Sequence, residues 1–569
     1  QNVDAVLITG DVATTGLEEE YQKFNDIWDS VFTDPAAAPE KIVMTGNHEF
    51  EQAYYGRETV EDVYRKYMEA YGYDSINRNV VVGGYHFITL TSESAAVDGQ
   101  YTQVTTDWLK EQLDAAVAEN PYQPIFVSAH QSLPNTTYGS TWGATKTQAL
   151  YDLLKNCPQV VYFAGHSHYP TENERSIYQK DFTCIDVTSL QYSNNETGSA
   201  VDAYSVQGGL LVSVEGANRQ VVVDRLRVRG DAGNEYAEKV KQPWKLPLPL
   251  AKKTFAYTDA RKDQREAPTF AADAAVTVSD VTINSLTVTF PSATHDDYVQ
   301  GYTVYIKEKA SGEEMTSKYF ISDFYHDLDS MAETQKTEIS GLLPNMEYIV
   351  EVTAVESFGL ESKPITAEFS TLPATEPSGS INRADFLDVD FLSGFADNSP
   401  YRLSYELYGS SNESRLVQSE TLGRQVLSAN GWINYSITPG MLSKITDSLT
   451  MEIAFMVPDE VPKSQCLFGN PEAGGVSIEF SGAGVMQVGM YIDGWKYVKL
   501  DGQIQPDTWY HLVATFDGAE MKAYLNGAEA GTTAAAGSIK HNTAVHYMTI
   551  GANVNASGNG ASKFVGEIA

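Results

Sequence analysis

Four short apolar runs in the first third of the chain each end on residues that ligate metals, and this repetition restricts the fold more than any other feature. Ala5 to Ile8 leads through Thr9 into Gly10-Asp11, and Lys41 to Met44 leads into Gly46-Asn47-His48-Glu49. Pro124 to Ala129 leads into His130, and Val160 to Ala164 into Gly165-His166-Ser167-His168. A continuous apolar run of this length, bounded by polar residues, reads as a strand buried on both faces of a parallel sheet. Between the first two runs, Glu18 to Trp28 puts Tyr21, Phe24 and Trp28 on one helical face and acidic residues in the first turn, where the helix dipole favours them. Strand, helix, strand with polar residues after each strand is the layout of an open α/β sheet, whose ligands gather beyond the strand C-termini. Of the ten histidines in 569 residues, four follow these strands, whereas a scattered histidine is ordinarily a satisfied polar or core residue. Carboxylate, amide and imidazole donors converging at strand ends form the mixed oxygen and nitrogen set of a two-metal hydrolytic centre.

Taken as a set, Gly10-Asp11 with Gly16 five residues on, Gly46-Asn47-His48-Glu49, His130 and Gly165-His166-Ser167-His168 resemble the calcineurin-like metallophosphoesterases over roughly residues 1 to 230. That superfamily includes purple acid phosphatases and cyclic-nucleotide phosphodiesterases. The resemblance implies an α/β four-layer metallophosphoesterase sandwich, with Asp11 as the carboxylate that bridges two metals. Asn47, His130 and His166 would complete the protein ligands of the second metal, and His168 would bind the first. His48 would not be a ligand but would lie beside the scissile phosphate as proton donor or charge stabiliser. The implied activity is two-metal-dependent hydrolysis of a phosphoric ester, monoester or diester. The attacking hydroxide is shared by cations about 3.5–4 Å apart that lower the pKa of water from about 15.7 towards neutrality. The donor set suits Mn, Fe or Zn. The family pattern also takes an Asp-x-His block from a strand before Gly10-Asp11. No residue precedes Gln1 to supply it, so the chain is expected to be a truncated form whose first metal keeps only Asp11 and His168.

Other residues near these blocks leave alternatives open. Tyr138, Trp142 and Tyr192 lie close in sequence to His130 and His168, where each ring either stacks on a substrate group or packs a loop. Arg175 either contacts phosphate or forms a surface ion pair. Glu49 either orients the His48 imidazole through a carboxylate–histidine hydrogen bond or caps the next turn. His86 sits inside a strand-like run and receives no function. Gly208 to Val214 followed by Gln220 to Val228 alternates as a β-hairpin that closes a second sheet.

At 569 residues the chain is too long for one core, and three or four domains are expected. The metallophosphoesterase domain is placed at 1–232, its N-terminal strand missing. Residues 233–265 read as a linker, from the proline-rich Lys241 to Pro249 and the charged Thr258 to Glu266. From 266 to 374, period-two strands such as Gly301 to Ile306 and Tyr348 to Val355 indicate an all-β sandwich. Gly341 to Tyr348 resembles the tyrosine corner of a fibronectin type III domain. From 375 to 569 the chain resembles a laminin-G/concanavalin A-like jelly roll, carried by Leu449 to Pro458, Thr508 to Gly518 and Met521 to Gly527, the last an Asn-Gly hairpin signal. In that family Trp509 and His511 are structural marks. The closing strand is expected to lie beyond Ala569, the C-terminus being incomplete.

The formal net charge of −36 argues against a nucleic-acid polymer as partner, since phosphate backbones select clustered Lys and Arg. It does not exclude a small phosphate ester, because bound divalent cations reverse the local field. Three cysteines cannot make a disulfide framework; Cys157 and Cys184 either pair or stay as packed thiols, the latter being the expectation, and Cys466 is left over in both cases. No apolar run offers a membrane span. Fibronectin type III and laminin-G-like modules beside a hydrolase suggest a secreted or surface-attached bacterial enzyme. The C-terminal domain is then available for a glycan or cell-surface ligand. The alternative is a carbohydrate- or surface-binding adhesion protein whose metallophosphoesterase domain is an inactive scaffold.

Overall fold

The computed structural model describes residues 3–141, 144, 146–194, 200–201, 207–229, 235–325, 331–373, 384–392, 394–409 and 414–569. The apolar runs of the N-terminal part are strands. β1 (Ala5–Ile8) and β2 (Glu40–Val43) pair in parallel, Ala5 opposite Glu40 and Ile8 opposite Val43, and α1 (Glu18–Val31) crosses between them. There follow α2 (Val60–Tyr71), started by a Thr59/Asp62 capping box, then β3 (Arg78–Val82), β4 (Tyr85–Leu90), α3 (Gln103–Glu119) and β5 (Ile125–Ala129). The series ends with α4 (Gln148–Leu154), β6 (Val160–Ala164), β7 (Ile177–Gln179) and β8 (Thr183–Asp186). β3 to β8 form one sheet in the order β3-β4-β5-β6-β8-β7, parallel from β4 to β8 and antiparallel at both edges.

Every residue of β5 and β6 is buried, and the two-residue period divides them between two cores. Ile125, Val127, Val160 and Tyr162 pack with Leu109, Leu113, Leu150 and Leu154 of α3 and α4. Phe126, Val161 and Phe163 point the other way, onto Val221, Val223, Trp244 and Leu246 of a second sheet. That second sheet contains the expected hairpin, Gly208–Glu215 against Gln220–Arg229. Because β4, β5, β6 and β8 run the same way, their C-terminal ends share one edge, and the ligand-bearing loops emerge there.

The segment read as a linker is part of this fold. Tyr236–Lys239 and Trp244–Pro247 both pair with Gln220–Arg229, and Trp244 and Leu246 are buried while Lys245 and Pro247 face outward. Proline content suggested a spacer, but the in–out alternation of Trp244 to Pro247 decides its place. Trp244, 2% exposed, is predicted to cost about 3–5 kcal/mol when replaced by alanine, measured by equilibrium denaturant unfolding. A residue in a solvated linker would cost within about 0.5 kcal/mol.

Residues 277–370 form a sandwich of three and four strands. Tyr348 closes its corner as expected, its hydroxyl accepting the Leu343 N–H at 2.9 Å and donating to the Leu343 carbonyl at 3.3 Å. The C-terminal part is a pair of seven-stranded antiparallel sheets. Gly566–Ile568 lies between Arg424–Ala429 and Leu449–Met456. The two β modules share a continuous core. Gly440 lies so close to Met315 that a Cβ there would come within 2.5 Å of its Cε. All three cysteines are free and buried. No helix among the described residues is long and apolar enough to cross a membrane.

The N-terminal fold meets the fibronectin-like sandwich through ions. Arg225 Nη1 lies 2.8 Å from Glu174, Lys241 bridges Glu174 and Asp297, and Arg265 joins Asp297 to Glu356. Burial opposes ionisation of Glu174, but the Arg225 and Lys241 charges overcome it and bring the carboxyl from 4.5 to about 2. The stability this contributes is fully present above the ordinary value and is lost as pH falls through about 2. Glu174→Gln is therefore predicted to lower unfolding free energy by about 3 kcal/mol at pH 7, with the difference from the parent closing as pH approaches 2.

Candidate metal centre

The loops after β1, β2, β5 and β6 converge on one point. His130 Nε2 lies 3.1 Å from Asp11 Oδ2 and 3.2 Å from Asn47 Oδ1. The His130 and His166 rings are 4.9 Å apart, and the donor atoms of Asp11, His130 and His166 all lie within 4.8 Å of one another. His130 Nδ1 is 2.6 Å from the Thr9 carbonyl. A carbonyl only accepts, so Nδ1 carries a hydrogen and Nε2 is the nitrogen that faces the two oxygens. Against burial, the Asp11 charge raises the His130 imidazole above its ordinary value, so a proton on Nε2 is held between them. A carboxylate, an amide oxygen and two imidazoles gathered at this range are donors that a cation fits in place of that proton, and this is the test by which the residues fit a metal. Fixing the tautomer through the outer ring nitrogen is also how metal-binding histidines are commonly held.

Electrostatics agree with that reading. Burial opposes the Asp11 charge, yet the neighbouring His130 holds the carboxyl well below its usual range. Burial lowers His166 to about 2 and His168 to about 4, so both imidazoles are neutral at pH 7, the form that binds metal. His168 Nδ1 is buried with no hydrogen-bond partner among the described residues. The backbone is strained at the same place: Asp11, His166 and His168 have φ of 57°, 64° and 56°, a region that non-glycine residues enter rarely and that clusters at functional sites. Gly46 is required by close approach, since a Cβ there would lie 2.2 Å from Asp11 Oδ1 and 2.7 Å from His130 Cε1.

His48 donates its backbone N–H to Asp11 Oδ1 at 2.9 Å, and its ring Nδ1 is 2.9 Å from the Thr14 carbonyl. The Nδ1–H is thus tethered, and Nε2 is the atom left for proton transfer.

Glu49 neither orients the His48 ring nor caps the following turn. It is 1% exposed, and its carboxylate accepts backbone N–H groups from Asp11 and Ala13, both at 2.9 Å, and from Gly46. It therefore ties the loop after β1 to the loop after β2. Burial first, then the Asp11 charge, pushes its carboxyl up to about 7.

The softer candidates separate. Tyr192 lies beside the centre, its ring 4.7 Å from that of His168. Tyr138 is 4% exposed, covered by the Arg175 guanidinium at 3.9 Å and by the Tyr169 ring at 4.4 Å, so this ring packs rather than receiving a substrate. Arg175 is engaged on Tyr138 and on Asn173. Trp142 lies outside the described residues. His86 sits in β4 and bonds to Asn79 and Glu119.

One residue was missed. Asp186 ends β8, and burial raises its carboxyl to about 6. It accepts from Ser132 Oγ at 3.1 Å, Thr137 Oγ1 at 2.8 Å and the Gly139 N–H at 2.8 Å, bracing the loop after His130. The signal was present, since Thr183-Cys184-Ile185-Asp186 is one more run ending on a carboxylate.

No curated protein matches the chain. Among solved structures, domain 4 of AbnA, a GH43 extracellular arabinanase from Geobacillus stearothermophilus in complex with arabinotriose, is 12% identical and covers 29% of this chain and 78% of its own, with a TM-score of 0.22. A myokine structure is 23% identical over 19% of this chain and 98% of its own, TM-score 0.14. The fn3 domain of the human collagen alpha-1(XX) chain is 19% identical over 20% and 93%, TM-score 0.15. Residues 1–170 match the family model of the calcineurin-like phosphoesterases, 266–368 that of the fibronectin type III domain, and 430–569 that of the concanavalin A-like lectin/glucanases superfamily. The chain thus carries, in this order, a calcineurin-like phosphoesterase domain, a fibronectin type III domain and a concanavalin A-like jelly roll.

Proposed function

We propose that the protein hydrolyses phosphoric esters at a two-metal centre, in which Asp11, Asn47, His130 and His166 would hold one metal and Asp11 with His168 the other. The observation that carries this reading is the gathering of the Asp11 carboxylate, His130 Nε2 at 3.1 Å from it, and His166, with donor atoms all within 4.8 Å of one another, a donor set that fits a cation. Bound divalent metals would supply Lewis acidity towards the phosphoryl oxygens and make water ionisable near neutral pH. The chain's own residues do the rest. Asp11, His166 and His168 are held in fixed directions by their left-handed backbone, and Thr9 keeps His130 Nε2 facing inward. His48, tethered at Nδ1, delivers a proton or positive charge from Nε2 to the ester oxygen as it leaves. The acidic chain suits a small ester rather than a nucleic-acid polymer. The β modules, of kinds frequent in extracellular proteins, would hold the hydrolase at a surface, with a glycan or cell-surface ligand on the jelly roll.

The test is steady-state hydrolysis of an aryl phosphomonoester and an aryl phosphodiester after chelator treatment and re-addition of Mn2+. Turnover of either ester that disappears with chelation and returns with Mn2+ is expected, and the preferred ester assigns the class. A folded protein that turns over neither ester with Mn2+, Fe2+ or Zn2+ contradicts the proposal.

A further inference from the structure

The fibronectin type III domain touches the phosphoesterase at a position that bears on the metal centre. Gln300, 2% exposed, immediately precedes the strand Gly301–Glu308. Its Nε2 donates to the Tyr138 hydroxyl at 3.5 Å, and its Oε1 accepts from Asn173 Nδ2 at 3.1 Å. Asn173 Oδ1 in turn accepts from Arg175 Nε at 3.3 Å, and the Arg175 guanidinium lies over the Tyr138 ring. Four side chains therefore close a ring, three from the phosphoesterase and one from its neighbour.

Tyr138 leads directly to the ligands. Its ring packs on Tyr169, the residue after His168. The next residue, Gly139, lies against Ser167, where a Cβ would come within 2.5 Å of Ser167 Oγ. Ser167 separates His166 from His168, both held at left-handed φ. A turn in a disfavoured conformation persists only when its surroundings over-determine it, and the Tyr138–Gly139 segment forms part of those surroundings. Asp186 holds this segment from within the phosphoesterase, and Gln300 holds it from outside.

We infer that Gln300 is a positioning residue for the metal centre. Through Tyr138 it fixes the turn that carries His166 and His168, so that the phosphoesterase is fully competent only with the fibronectin type III domain docked. The inference builds on the proposed two-metal reaction but concerns a different contact. It gives the middle domain a role in the chemistry beyond spacing.

The test compares the full chain with Gln300→Ala, Tyr138→Phe and the double variant, reading Mn2+ affinity, kcat and KM separately, and backbone amide exchange. Gln300→Ala is expected to lower kcat or Mn2+ affinity by about 10-fold, with KM nearly unchanged. Tyr138→Phe should act in the same direction, and the double variant should be no worse than the stronger single one, because both remove one link. Amides of 137–141 and 165–169 should exchange faster in Gln300→Ala while those of β5 and β6 keep the parent rate. Parent values of kcat, Mn2+ affinity and exchange in Gln300→Ala would overturn the inference, as would acceleration spread evenly over the domain. Should the parent turn over no ester, the proposed function falls, and the exchange of 165–169 still decides this point by itself.

Discussion

Replacing His48 by alanine is expected to lower kcat by about 10²–10⁴-fold while leaving bound metal unchanged. The magnitude is that of a general acid or charge donor acting in the transition state. Two contacts make the separation clean. The His48 backbone N–H, which an alanine retains, is the group that donates to Asp11 Oδ1, and the ring is anchored at Thr14 rather than to a ligand side chain. Steady-state kinetics beside elemental analysis of the same sample checks it. Loss of metal together with activity would make His48 a ligand or a structural brace instead.

The second large effect is expected at Glu49. Glu49→Ala strips the acceptor from three backbone N–H groups, those of Asp11, Ala13 and Gly46, at a fully buried position. An unsatisfied buried donor costs about 1–3 kcal/mol, and water entering the space offsets part of the sum. The expected destabilisation is therefore roughly 3–5 kcal/mol, with metal affinity reduced about 10–100-fold, as for outer partners of ligands. Equilibrium unfolding and a Mn2+ titration measure the two. A cost near 1 kcal/mol with unaltered Mn2+ affinity would contradict the role of Glu49 in tying the two loops.

The contrast between these residues shows what a sequence reveals. That Asp11, Asn47, His130 and His166 lie together was legible because each follows a strand, and loops after strands are where such side chains gather. Tyr348 was legible because the corner is local, its hydroxyl reaching only to Leu343. Glu49 was misjudged because its partners are set by the approach of two loops 38 residues apart, which no spacing encodes. Tyr138 and Arg175 stayed open between substrate contact and packing because nearness in sequence to the histidines does not decide it, whereas Gln300, 162 residues from Tyr138, draws them into a domain contact. Trp244 and Leu246 were lost in a proline-rich stretch because composition was weighed over alternation. The left-handed backbone at Asp11, His166 and His168 had no signal, since strain of this kind follows from tertiary packing.

The most direct test of the account is the number of metal ions bound per chain at equilibrium, in the parent and in Asp11→Ala and His130→Ala, each checked for an intact fold by circular dichroism. Asp11 is the residue around which the other donors gather, and His130 has its Nε2 already turned inward by Thr9. About two metals in the folded parent, and a clear loss in each variant, is the predicted result. A folded parent that retains no metal after dialysis against Mn2+ or Zn2+ would contradict it, as would variants that bind as much metal as the parent.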